Sequence, residues 1–268
     1  MTPNFNFLDL CREASNAASD VIIDLVGNSQ KAGAIVGMGA DGTPTAKIDL
    51  VAEDAIIEVL KADGRSIRVI SEELGEKVLG DSPEFSLILD PLDGTYNAVV
   101  GIPFYNVSIA AASPDLSEIC FGYVRNLAVE EEYFAETGKG AYLNGKTIEP
   151  TKNTDLQKLC ISAYGYRKNA ARGRKLQSNI RRIRVLGSVA LELCYVASGK
   201  LDAYVDVRNA LRVTDIAAGQ LILKEAGGAV TDSFGKPLDL PVNVVKRVEM
   251  VASNGHVHRK LLQLLSGE

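Results

Sequence analysis

The sequence is poor in the side chains that many catalytic and binding chemistries require. It has two histidines, His256 and His258, both near its end, so a histidine-based triad or zinc site is not expected. Its four cysteines, Cys11, Cys120, Cys160 and Cys194, are far apart and form no CxxC pair. That removes zinc-finger and disulfide-framework readings and fits reduced thiols. There is no basic excess: 29 Lys and Arg against 34 Asp and Glu give a net charge of −5. Proteins that bind phosphate backbones carry the opposite balance, so nucleic acid is not an expected partner. No uninterrupted apolar run is long enough to cross a bilayer, and no basic-then-apolar leader stands at the start. A cytoplasmic protein without a membrane partner is expected. Internal repeats and low-complexity stretches are also absent.

What remains is a chain of 268 residues with ordinary apolar content, long enough for one large domain or two fused ones. Apolar residues at Phe7, Leu10, Cys11, Ala14, Ala18, Val21, Ile22 and Leu25 predict a helix within 5–26, and Gly27 and Asn28 stop it. A Gly-, Thr- and Pro-containing loop over 29–46 and a second helix over 48–60 follow. Short apolar runs at 67–70, 85–89, 106–112, 119–125 and 131–135 then predict strands in antiparallel meanders. After about residue 150, strands at 159–163, 183–186, 202–207, 229–231 and 249–253 alternate with helices at 170–180, 188–198, 214–226 and 256–265. That alternation predicts a mixed or parallel sheet. We therefore expect residues 1–150 to form helices on a largely antiparallel sheet and residues 151–268 to form an α/β substrate-side domain.

The chemistry concentrates at Ser86-Leu87-Ile88-Leu89-Asp90-Pro91-Leu92-Asp93-Gly94-Thr95. An apolar strand ends in a carboxylate, and Pro91 cannot continue a hydrogen-bonded ladder. The chain must turn there, so Asp90 and Asp93 can converge, with the Leu92 carbonyl as a third oxygen. Mg²⁺ favours such a mixture of carboxylate, carbonyl and water. Gly94 permits close backbone approach, and a helix beginning at Gly94–Thr95 would offer amides and a hydroxyl to a phosphate oxygen. Taken alone, the same residues also make a good polar turn. An aspartyl-phosphate enzyme of the haloacid dehalogenase type would need an acid at position 92, where leucine stands. Further carboxylates stand at Glu72 and Glu73 after a strand, at Asp49 in the second helix and at Asp215 before a long one. Solvation or helix capping would explain each of them singly.

In combination, SEELG at 71–75, DPLDGT at 90–95 and TDIAAGQLILKEAGG at 214–228 resemble the inositol monophosphatase superfamily, including archaeal-type fructose-1,6-bisphosphatases. The resemblance spans nearly the whole chain. Thr214 stands where that family usually has tryptophan. The resemblance implies a layered αβαβα sandwich and two or three Mg²⁺ held by Glu72, Asp90, Asp93, Asp215 and the Leu92 carbonyl. It implies that Asp49 and Thr95 orient and deprotonate a water, with Glu73 as a supporting carboxylate, and that a homodimer forms. GSVALELCYVASGKLDAYVD at 187–206 resembles the substrate-side segment. The substrate-binding positions implied are Asp93, Gly94, Thr95, Arg184, Gly187, Ser188, Val189, Asp206 and Arg208.

Gly37-Met38-Gly39-Ala40-Asp41-Gly42 spells GxGxxG. Thr43-Pro44-Thr45 follows before any helix, so a dinucleotide fold is rejected. By resemblance this is a mobile loop near the site. Residues 167–184 hold Arg167, Lys168, Arg172, Arg174, Lys175, Arg181, Arg182 and Arg184 with no acid, and Arg184 is the expected wall for a second phosphate. The expected activity is Mg²⁺-dependent hydrolysis of a phosphorylated small polyol or sugar, myo-inositol 1-phosphate or fructose 1,6-bisphosphate. The alternatives are a nucleotide phosphatase acting on 3′-phosphoadenosine 5′-phosphate or NADP, and a non-catalytic metal- or phosphate-binding regulator.

Overall fold

The computed structural model of the chain describes residues 5–165, 170–238 and 244–266. Arg167 and Lys168 of the basic stretch lie outside them. The chain opens with α1 (Phe7–Ile22) and the short α2 (Ser29–Ala32). A hairpin of β1 (Ile35–Met38) and β2 (Pro44–Ala46) leads into α3 (Lys47–Asp63). The expected loop over 29–46 is thus a helical turn and an antiparallel hairpin whose tip carries the GxGxxG residues. A hairpin is not the strand-to-helix turn that dinucleotide binding needs.

Eight strands form the first sheet: β3 (Ile67–Ser71), β4 (Gly75–Leu79), β5 (Phe85–Asp93), β6 (Asn106–Ala112), β7 (Ile119–Asn126), β8 (Glu131–Glu136), β9 (Ala141–Leu143) and β10 (Lys146–Thr147). Their order is β10-β9-β8-β7-β6-β5-β3-β4. All neighbours are antiparallel except β3 and β5, which run parallel. The short α4 (Thr95–Val100) follows β5. The second half contributes β11 (Cys160–Tyr164), α5 (Ala170–Asn179), β12 (Arg182–Arg184), α6 (Val189–Ala197), β13 (Ala203–Leu211), α7 (Val213–Glu225), β14 (Ala229–Thr231), β15 (Val248–Ser253) and α8 (His258–Ser266). Its sheet is mixed, in the order β12-β11-β13-β15-β14.

Three apolar clusters define five layers. Phe7, Leu10, Ala14 and Ile22 of α1 and Ile48, Ala52 and Ile56 of α3 pack with Val69, Leu87, Leu89 and Ile109 on one face of the large sheet. Ile70, Ile88, Ala110 and Val124 on its other face meet Leu191 and Leu193 of α6 and Ile216 and Ile222 of α7. Tyr204 and Met250 of the second sheet close that layer. Ile161, Val205 and Val251 then face Leu176 of α5 and Leu261 of α8. The alternation within β5 follows from the two-residue period of a strand, and both faces are covered. The result is the αβαβα sandwich. Because α6 and α7 fill the middle layer, the start of α7 is brought to the end of β5. Among the described residues, no helix is long and apolar enough to cross a membrane.

Candidate metal centre and active site

β5 does not stop at Leu89 as the proline predicted. It continues to Asp93, and Pro91 falls in an irregularity of the β5–β6 pairing between Asp90↔Ser108 and Asp93↔Asn106. A bulge is where a strand tolerates a residue without an N–H. It also lets Asp90 and Asp93 depart from simple alternation. The parallel register Ser71↔Leu89 sets Glu72 beside Asp90, and α7 brings Asp215 to the same point. One carboxylate oxygen from each of Glu72, Asp90 and Asp215 lies within 4.8 Å of the others.

Asp90 is 1% exposed. Its Oδ1 accepts from the Leu92 amide at 3.0 Å, and its Oδ2 has no hydrogen-bond partner among the described residues. A buried carboxylate oxygen left without a donor is costly. Burial, then repulsion from Glu72 and Asp93, raises the Asp90 pKa well above the carboxylate range. Burial and neighbouring charge also push Glu72 up to about 8 and Asp93 up to about 6. An orphaned hard oxygen among three converging carboxylates fits a divalent cation that prefers oxygen ligands.

The first of two groups missed in the sequence ties this cluster down. The Arg212 guanidinium lies among the acids, 2.9 Å from Asp215 Oδ1, 2.8 Å from Asp41 Oδ2 and bonded to Glu72. Its backbone amide also donates to Asp215 Oδ2 at 2.9 Å. Asp215 therefore closes a reciprocal cap at the third position of α7. Asp41, at the tip of the β1–β2 hairpin, is also held by Arg247 at 3.2 Å. The Ala40 and Asp41 amides donate to the carbonyls of Glu73 and Glu72. The hairpin tip is thus docked on the acidic cluster. Gly39 allows this close approach, since a Cβ would come within 2.7 Å of Glu73 Oε2 and displace that carboxylate. The spacing R-x-x-D was the available signal for Arg212, because residues three apart on a helix start are neighbours.

The remaining expected residues fall into two groups. Asp49 lies in the first turn of α3 and accepts from Thr95 Oγ1 at 2.9 Å, while Thr95 Oγ1 also reaches the Leu92 carbonyl at 3.1 Å. Burial pushes Asp49 up to about 7. Glu73 accepts from Thr45, and burial raises its pKa too. Asp93 is not one of the three converging acids. Its Oδ2 accepts from Ser188 Oγ at 2.8 Å, the Ala190 amide at 2.8 Å and Asn106 Nδ2 at 3.1 Å. It therefore anchors the start of α6 to β5. Gly94, with φ +93°, caps α4, and a Cβ there would lie 2.8 Å from the Phe104 carbonyl oxygen.

Of the residues expected to bind substrate, Gly187 donates to Tyr164 Oη at 2.8 Å, and Val189 begins α6. Asp206 is fully buried, and both its oxygens are engaged by Arg208, which stacks 4.3 Å over the Tyr164 ring. Arg184 is exposed on the edge strand β12, with its Nη1 on the neighbouring Ile183 carbonyl. The basic stretch is only partly unopposed, because Arg172 pairs with both oxygens of Glu249. The second missed group is Glu192, a fully buried carboxylate in the apolar helix α6. It accepts from Ser162, from Tyr164 Oη at 2.9 Å and from the Leu186 amide at 2.9 Å. A lone acid in an otherwise apolar helix was its signal.

Comparison with known proteins shows the family of the chain. The Inositol monophosphatase family profile matches residues 7–267. A fructose-1,6-bisphosphatase/inositol-1-monophosphatase of Methanothermobacter thermautotrophicus is 45% identical over 252 residues, covering 90% of each chain. A bifunctional NADP phosphatase/NAD kinase of Methanococcus maripaludis is 37% identical, over 95% of this chain but 49% of that protein. Among solved structures, an inositol monophosphatase–fructose 1,6-bisphosphatase superposes with a TM-score of 0.87 at 31% identity, over 97% of this chain and 100% of that one. The chain belongs to the inositol monophosphatase family.

Proposed function

We propose that this chain is a Mg²⁺-dependent phosphatase that hydrolyses the phosphate monoester of a small polyol or sugar. The observation that carries the reading is the convergence of Glu72 with the buried Asp90 and Asp215, together with the Asp90 Oδ2 that has no partner among the described residues. The names of its full-length relatives support the substrate class. In this reading residues 1–150 supply most of the cation-holding and water-orienting groups, and residues 151–268 supply Asp215 and the substrate wall.

Glu72, Asp90 and Asp215 would hold the cation, with Asp93 and the Leu92 carbonyl completing the set. When bound, such a cation supplies charge for phosphate oxygens and acidifies water. The chain's own residues do the rest. Thr95 donates its one proton to Asp49, which leaves a hydroxyl lone pair to accept from a water. Asp49, with a pKa near 7, is matched to accept a proton at neutral pH. Water adds to phosphorus, the P–O bond to the polyol breaks, and the departing oxygen takes up a proton. Inorganic phosphate and the free polyol result. Gly187, Val189 and Arg208 line the substrate side, and the fully buried Ser188 and Asp206 support it from behind, Ser188 through Asp93 and Asp206 through Arg208. Arg184 faces solvent where a second phosphate could reach it. We also propose a homodimer, supported by the exposed apolar side chains Tyr96, Val100 and Ile102 on and after α4.

A second reading is hydrolysis of the NADP phosphate, favoured by the similarity across 95% of this chain to the bifunctional NADP phosphatase. Phosphate release from myo-inositol 1-phosphate, fructose 1,6-bisphosphate, NADP and 3′-phosphoadenosine 5′-phosphate, with Mg²⁺ or with EDTA, tests both. Mg²⁺-dependent release from the first two supports the proposal. Release from nucleotides alone replaces it, and no release from any substrate leaves a non-catalytic regulator. Light scattering of the purified protein tests the dimer.

A further inference from the structure

Behind the acidic cluster, on the side of the large sheet that faces α7, lies a cavity of about 340 Å³. That volume is within the range of small-molecule sites. Ile70, Ile88 and Val213 contribute to its wall. Each stands two residues before one of the converging acids: Ile70 before Glu72, Ile88 before Asp90 and Val213 before Asp215. Ile70 and Ile88 are paired in register across β3 and β5. For Ile88 and Asp90 a two-residue step along the strand returns to the same face, while Val213 opens the helix α7 whose first turn carries Asp215, so the cavity adjoins the backbone that aims the acids.

Three further observations mark it as more than a packing defect. Gln220 lines it, is 6% exposed, and has an amide oxygen without a hydrogen-bond partner among the described residues. Buried side-chain amides are ordinarily satisfied. Lys224 also lines it and makes no ion pair among the described residues. Leu116, another wall residue, has φ +63°, a conformation that costs a branched residue about 1 kcal/mol or more and concentrates at functional sites.

We propose that this cavity is a second binding site, for a small molecule with an apolar body and a single anionic end, and that its occupancy is coupled to cation binding by Glu72, Asp90 and Asp215. The isoleucines, Val213, Leu221 and Leu238 suit the body. The ammonium of Lys224, an exposed residue, suits the anionic end, and the unpartnered Gln220 Oε1, an acceptor, suits a hydroxyl donor on the body. Glu118, which also lines the cavity, disfavours a second negative charge. A ligand wedged between α7 and the strands shifts the start of α7 against β5, and the separation of Asp215 from Asp90 shifts with it. Coupling through such a contact is reciprocal. The coupling rests on the metal reading above, whereas the binding does not.

The test uses the full chain labelled at the isoleucine methyl groups and titrated with 2-naphthoate as the probe. Saturable shifts of the Ile70 and Ile88 methyl signals are expected, with affinity weakened about tenfold or more by Lys224→Glu. Leu221→Trp, which fills the cavity from its wall, should abolish binding while the protein keeps its circular dichroism spectrum. Saturating probe should change the Mg²⁺ dissociation constant, measured calorimetrically, about fivefold or more. No saturable shift at these isoleucines up to about 10 mM probe, or unaltered binding in both variants, overturns the site. An unchanged Mg²⁺ affinity with probe bound overturns the coupling. Failure of the protein to bind Mg²⁺ without probe would instead count against the metal reading.

Discussion

Replacing Asp90 with asparagine should make the protein more stable in EDTA and inactive in Mg²⁺. The oxygens of Asp90, Glu72 and Asp215 lie within 4.8 Å of one another, so at an effective dielectric of about 20 each ionised pair repels by about 3.5 kcal/mol. Arg212 attracts Asp90 and returns part of this. Proton uptake relieves more of it, which is why Asp90, Glu72 and Asp93 all have raised pKa values. A net gain of about 2 kcal/mol for Asp90→Asn is the reasonable expectation, since asparagine keeps the shape and can accept from the Leu92 amide. For a chain of this size that is a rise of about 4–8 °C in Tm.

The pH dependence gives an internal control. These carboxyls bind protons more tightly folded than unfolded, so their contribution to stability is full below their ordinary values near 4. It is lost as pH rises through the folded values, about 6 for Asp93 and about 8 for Glu72. Wild type in EDTA should therefore weaken between about pH 4 and pH 8. The advantage of Asp90→Asn should be largest near pH 8.5 and shrink near pH 5. Mg²⁺ should reverse the order, since a ligand present at 100 times its dissociation constant adds about 2.7 kcal/mol to the protein that binds it. Thermal melts at both pH values with EDTA or Mg²⁺, together with phosphate release, make the measurement. A variant with near-normal turnover, or one no more stable than wild type at pH 8.5 in EDTA, would refute the reasoning.

Arg212→Met should lower Tm in EDTA, because three acids lose their shared counterion, yet tighten Mg²⁺ binding by removing a competing cation. Calorimetric titration and melts check both signs. Gly94→Ala should cost about 2 kcal/mol or more, from φ +93° and a Cβ 2.8 Å from the Phe104 carbonyl oxygen, and its Tm should fall accordingly. For Glu192, pushed up to about 7 by burial, the native stabilisation is full below its ordinary value near 4.5 and is lost as pH rises to about 7. Glu192→Gln should therefore gain on wild type as pH rises, while Glu192→Ala should lose about 2–4 kcal/mol at any pH by orphaning three donors. Arg184→Ala should weaken turnover of fructose 1,6-bisphosphate more than that of inositol 1-phosphate. Equal kinetics on both would remove the second-phosphate wall.

Legibility in the sequence follows from how local each cause is. The helices and strands were readable because periodicity is local: the stripe on α1 declares its buried face, and the apolar run of β5 a strand covered on both faces, whereas the five layers were implied by the family resemblance. Most helix limits agree within a few residues for the same reason. Pro91 misled because a strand pays for a missing N–H with a bulge, and a bulge is a property of the pairing with β6. Glu72, Asp90 and Asp215 were gathered by the family resemblance of SEELG, DPLDGT and TDIAAG, since solvation or capping would explain each of them singly.

Arg212 and Glu192 were not gathered, although Arg212 lies among the converging acids and Glu192 is fully buried. Their roles depend on contacts across many residues: Arg212 reaches Asp41 across 171 positions, and Glu192 joins β11 to the turn before α6. Yet each violated a local rule, a charged group in a segment that otherwise had every reason to be buried. Burying a charge without partners costs several kcal/mol, so such a residue must have partners, and those partners must come from elsewhere in the chain. Arg212 answers the excess of acids around it and Glu192 the excess of donors. A misfit of this kind in the sequence therefore points to the contacts that periodicity cannot supply.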